Sequence, residues 1–79
     1  MQITVKYFAA LAEHAGKSEE QIQGEALAIE PLYQELKQRY QFPLEFSEVR
    51  AAVNTRYVQP DTPLAEGDVL VFISPVAGG

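Results

Sequence analysis

Cysteine is absent from the 79 residues, which excludes a disulfide framework, a thiolate metal site and a cysteine nucleophile. Histidine occurs once, as His14 within a helical stretch. No cluster with metal-ligand spacing can form around it, and it reads as a solvated residue. Basic residues are few and scattered: Lys6, Lys17, Lys37, Arg39, Arg50 and Arg56, against eleven acidic ones, for a net charge of −5. Such a surface repels phosphate backbones and speaks against nucleic-acid binding. It suits docking to basic protein partners, or serves solubility alone. Long apolar runs are missing as well, so no membrane span is expected. The strand pattern starts directly at Met1-Gln2-Ile3, which leaves no room for a signal peptide and implies a cytoplasmic protein. Asp61 and Asp68 lie in separate turns without a histidine or cysteine to join them, so the chain offers no acid/base pair of its own.

What is present is enough for one small domain. Hydrophobic residues make up 47% of the chain, and a domain of this length buries about 60–65% of the surface its unfolded form exposes. Ile3, Val5 and Tyr7 alternate with Gln2, Thr4 and Lys6, the period of a half-buried strand. Phe8, Leu11, Ala12 and Ala15 then share one helical face, read as core, and Gly16 can end that helix in a left-handed conformation. Residues 18–23 are polar around Ile22 and read as an edge strand returning along the first. A second helix carries Ile29, Leu32, Tyr33, Leu36 and Tyr40 on one face, with Pro31 in its first turn and no capping side chain at Ala28. Phe42-Pro43 closes it, because the residue before a proline is pushed out of the α region.

From Val49 the text turns extended again. Residues 49–53 and Tyr57-Val58 read as a hairpin around Asn54-Thr55-Arg56, and Glu66-Gly67-Asp68 is a turn before the last strand, 69–73. That strand, Val-Leu-Val-Phe-Ile, is apolar on both faces and therefore central. Its second face must be covered, either by Phe42, Leu44 and Phe46 of the 42–48 loop or by a partner; the two readings carry equal weight. Pro75 has no N–H for a sheet ladder, so the domain is expected to end at residue 74 and residues 75–79 to form a tail. Ser74 to Gly79, fully extended, would reach roughly 20 Å. The closing Ala77-Gly78-Gly79 lets another protein's backbone approach a terminal carboxylate closely, which makes that carboxylate the candidate functional group.

The order of elements resembles the ubiquitin-like β-grasp, an α+β fold with a mixed sheet, two helices and a protruding Gly-Gly tail. Four stretches make the likeness specific: Val5-Lys6-Tyr7-Phe8-Ala9-Ala10-Leu11-Ala12-Glu13 with Gly16; Ala52-Val53-Asn54 with Tyr57-Val58; Leu64 before Glu66-Gly67-Asp68-Val69; and Phe72-Ile73-Ser74-Pro75-Val76-Ala77-Gly78-Gly79. Together they resemble the MoaD family, the ubiquitin-like sulfur carriers that form the small subunit of molybdopterin synthase. Ser74 stands where that family commonly has a proline, and Ala28 where it has a Thr or Ser cap.

The resemblance implies a carrier without a catalytic site of its own. An E1-like enzyme would use ATP-Mg to adenylate the Gly79 carboxylate, and a sulfurtransferase persulfide would displace AMP to leave a thiocarboxylate. The tail would then donate sulfur to cyclic pyranopterin monophosphate in the synthase large subunit, building the dithiolene of molybdopterin in a two-plus-two heterotetramer. Gly79 is the reacting group, Gly78, Ala77, Val76 and Pro75 thread and aim the tail, and Phe8, Leu70, Phe72 and Ile73 dock the partner. No cofactor or metal is expected on the chain itself. Alternatives are a sulfur carrier of another pathway, such as the thiamin thiazole type, which looks shorter and lacks the Phe8-Ala9-Ala10-Leu11 helix; a ubiquitin-like modifier of lysines; and a binding module with an inert tail.

Overall fold

A computed structural model describes residues 1–74. In chain order they form β1 (Gln2–Tyr7), α1 (Ala9–Ala15), β2 (Glu19–Gln23), α2 (Ile29–Tyr40), a 3₁₀ turn (Phe46–Glu48), β3 (Arg50–Val53), β4 (Arg56–Tyr57) and β5 (Val69–Ile73). The sheet order is β2-β1-β5-β3-β4, so the first and last strands lie side by side in the middle. They run parallel, with Val5 opposite Leu70 and Tyr7 opposite Phe72. All other pairings are antiparallel.

Alternation sends Ile3, Val5 and Tyr7 of β1 and Leu70 and Phe72 of β5 to one face, where they are fully buried. Against them pack Ile29, Leu32, Tyr33 and Leu36 of α2 and Leu11 of α1, forming one continuous core. Burying each such aliphatic or aromatic side chain contributes roughly 1.5–3 kcal/mol. Tyr33 is its hub. Its ring meets Phe72 edge-on at 4.9 Å and also lies against Phe42 and Phe46, while its hydroxyl donates to the Leu44 carbonyl at 2.8 Å. The 42–48 loop therefore closes the helix side of the sheet and leaves the opposite face of β5 uncovered.

Local chemistry sets the boundaries. Gly16 ends α1 with φ 75°, its N–H donating to the Ala12 carbonyl. Gln41 does the same for α2 at φ 59°, one residue before Phe42, so the helix stops at a left-handed residue and the Phe42-Pro43 pair follows the stop. The hairpin is tighter than its sequence implied. Arg56 belongs to β4, only Asn54 and Thr55 form the turn, and Val58 lies beyond the strand. Val49 likewise precedes β3. Asp68 acts as a turn former, accepting from Asn54 Nδ2 at 2.9 Å and from the Ala65 N–H at 2.8 Å.

Candidate functional site

The expected reacting group, Gly79, and the tail residues Pro75, Val76, Ala77 and Gly78 lie outside the described residues. What can be built is the platform from which they depart. β5 is flanked by β1 on one side and β3 on the other, so the chain leaves from the centre of the sheet. The ladder to β1 runs as far as Phe72 and the ladder to β3 holds Ile73 opposite Arg50, which sets the direction in which Ser74 continues.

Of the four expected docking residues, the structure keeps two on the surface. Leu70 and Phe72 have no solvent exposure, because the phase of β5 turns them under α2 rather than outward. A side chain that is already core cannot dock a partner, and both are corrected to structural residues. Ile73 falls on the open face with Val69 and Val71, all half-buried. Phe8 is 55% exposed. It is not part of the α1 core stripe: its backbone is extended, which continues the outward row of Thr4 and Lys6 past the end of β1.

The register completes the open face with residues the sequence reading did not single out. Val71 is opposite Ala52 on β3, and Ala52 is opposite Tyr57 on β4, whose ring is 69% exposed. An apolar row thus runs from exposed Phe8 across half-buried Ile73 and Val71, past Ala52, which is only 6% exposed and offers no contact area of its own, to exposed Tyr57. The missing signal was phase: once Tyr7 is placed inward, the parallel pairing of Tyr7 with Phe72 fixes which half of Val69–Ile73 faces out. At the β3–β4 end this row borders a shallow groove of about 450 Å³ lined by Phe46, Arg50, Ala51, Val58 and Pro60.

A second polar cluster sits at the opposite edge. The Glu20 carboxylate accepts from the Tyr7 hydroxyl at 2.5 Å and from the Tyr40 hydroxyl at 2.7 Å, with Lys17 at 3.5 Å. Desolvation alone would raise the Glu20 carboxyl, but the two phenol hydrogen bonds and Lys17 outweigh it and hold it below its ordinary value. Burial, and then the neighbouring carboxylate, push the Tyr7 phenol strongly upward. These groups bind β1, β2 and the end of α2 to one another. Among the described residues no group of three or more His, Asp or Glu side chains could hold a metal ion. None of their helices is long and apolar enough to cross a membrane.

A mixed sheet with parallel first and last strands at its centre, helices on one face and the chain leaving from the central strand defines a ubiquitin-like β-grasp protein. The chain belongs to the ThiS family, whose pattern it matches over residues 5–79. It is 34% identical over 80 residues to the molybdopterin synthase sulfur carrier subunit of Escherichia coli K12, covering 98% of this chain and 99% of that protein. Among solved structures, a putative molybdopterin converting factor subunit 1 from Pyrococcus furiosus superposes with a TM-score of 0.78 at 34% identity, covering 96% of this chain and 99% of the other. A chain of the complex of subunits 1 and 2 of the Helicobacter pylori molybdopterin-converting factor shares the fold, with a TM-score of 0.70 at 22% identity over the whole of both chains. The resemblance to molybdopterin synthase small subunits is borne out.

Proposed function

We propose that this chain is the sulfur carrier of molybdenum cofactor biosynthesis, acting as the small subunit of a molybdopterin synthase in the cytoplasm. The observation that carries this reading is the end-to-end identity of 34% with the E. coli sulfur carrier subunit. The family match, running to residue 79, includes the Gly-Gly end.

The chemistry follows from what a carboxylate cannot do. At neutral pH it is a poor nucleophile and its oxygen a poor leaving group. Attack of the Gly79 carboxylate on the α-phosphate of ATP, on an E1-like enzyme, releases pyrophosphate and gives an acyl-adenylate. A persulfide sulfur from a sulfurtransferase then attacks the acyl carbon and AMP leaves. Reductive cleavage of the S–S bond by a thiol frees the thiocarboxylate. Inside the large subunit that sulfur forms a C–S bond to a side-chain carbon of cyclic pyranopterin monophosphate as a C–O bond at that carbon breaks and its oxygen leaves with a proton, and hydrolysis of the acyl–sulfur bond returns the carboxylate. Two rounds supply the two dithiolene sulfurs. The acid/base groups belong to the partners. This chain contributes the tail, Pro75 to Gly79, and a docking face that includes Phe8 and Ile73. The H. pylori relative, described as a complex of subunits 1 and 2, supports a large-subunit partner.

The test is the intact mass of the purified protein after incubation with ATP-Mg, the activating enzyme of the same organism and a sulfide donor. A gain equal to one oxygen replaced by sulfur, mapped to the C-terminal peptide, is expected, and a variant with one residue appended after Gly79 should show none. Sulfur loading and transfer by the extended variant would sink the proposal.

A further inference from the structure

Charge on the open face runs against the charge of the molecule. The chain carries −5 overall, yet its cations fall into two sets. Lys17, Lys37 and Arg39 each sit by a carboxylate: Glu20 at 3.5 Å, Glu45 at 3.5 Å and Glu35 at 2.9 Å. Among the described residues, Lys6, Arg50 and Arg56 have no carboxylate within 4.0 Å. Lys6 stays unpaired although Glu19 is its register partner on β2.

The position of two of these is informative. Lys6 is the register partner of Val71 on one side of β5, and Arg50 of Ile73 on the other. Both therefore flank the apolar row on the face it occupies. We propose that this face docks the large subunit through an apolar strip bordered by carboxylates that pair with Lys6 and Arg50, a proposal that rests on the sulfur-carrier reading given above. Overall charge pointed to a basic partner; on this face Lys6 and Arg50 outnumber Glu19, the one carboxylate that the strand registers place there, and the balance favours an acidic one. Cations at the border of an apolar contact speed encounter and reject wrong partners more than they add affinity. A second copy of this chain is disfavoured as the occupant, because a two-fold contact through the same face would bring the cations of both copies together. Two cations in so acidic a chain are also too few for a nucleic-acid site.

The test is titration of the isolated large subunit of the same organism with this protein at about 50 mM and about 500 mM salt, a range over which screening changes strongly. The Lys6→Glu/Arg50→Glu double variant should raise Kd about ten-fold or more at low salt, with a smaller difference at high salt. Its thermal melt should match the unaltered protein, and Glu35→Lys, on α2 at the other face of the sheet, should not weaken binding. Tight binding unaffected by the double reversal would overturn the charge proposal while leaving the carrier reading intact. Failure of the unaltered protein to bind the large subunit would overturn the carrier reading and this occupant with it. Loss of affinity confined to the activating enzyme, or a dimer of this chain in sedimentation that the double variant abolishes, would overturn the choice of occupant.

Discussion

Single residues divide here by phase rather than by type. Leu70 and Val71 are adjacent and equally apolar, yet one is core and the other lies on the open face. Composition could not separate them, and only the ladder to β1 does. Glu20 is the contrary case, a charged residue on an edge strand that two tyrosines and a lysine convert into a tie. Its carboxyl titrates lower in the folded chain than the ordinary 4.5. The stabilisation it brings is thus complete above that unfolded value and is lost as pH falls through the folded one. Glu20→Gln should lower stability at neutral pH by about 1–2 kcal/mol and flatten the decline of melting temperature as pH falls below the ordinary carboxyl value. Parallel acid profiles for the two proteins would show that the carboxylate contributes nothing. The Glu20 cluster was invisible in the sequence because its members are 13 and 20 residues apart and meet only through tertiary packing.

Among the elements, both helices and the first and last strands were legible from apolar periodicity and from Gly16, with Pro31 marking the start of α2, whereas polar β2 offered only Ile22 as a signal. The hairpin too was less legible. A two-residue connection of this kind holds both turn residues at positive φ, which asparagine tolerates and threonine does not. Asn54 and Thr55 nevertheless adopt 51° and 74°, so the expected turn chemistry was one residue off. Asn54 is held by Asp68 and by the Val69 N–H, which anchor the hairpin to the start of β5. Thr55 has only its own local contact and carries the strain. Thr55→Gly should relieve about 1–2 kcal/mol of left-handed strain against a smaller entropic loss. A net gain of about 0.5–1 kcal/mol, seen as a few degrees in melting temperature, is expected. An unchanged or lower melting temperature would show that the turn is unstrained.

For the whole molecule, the fold was readable because every apolar run matched a β-grasp element, whereas the docking face was not, since it depends on which strand lies beside which. The same arrangement governs the order in which the protein can be made. β1 is the first strand synthesised and its central neighbour β5 the last, with the Thr4–Val69 pairing joining opposite ends of the chain. Contacts so distant in sequence form late and slow folding. A chain ending at Gly67 lacks Leu70 and Phe72 and the strand between β1 and β3, and should show no cooperative unfolding transition. A sharp transition in that truncated chain would mean that the sheet closes without β5. While the ribosome still holds residues 69–73, the nascent chain cannot settle, and incomplete products stay open to proteolysis. Folding thereby inspects the message: a molecule that has passed into the native state has been translated at least to the end of β5.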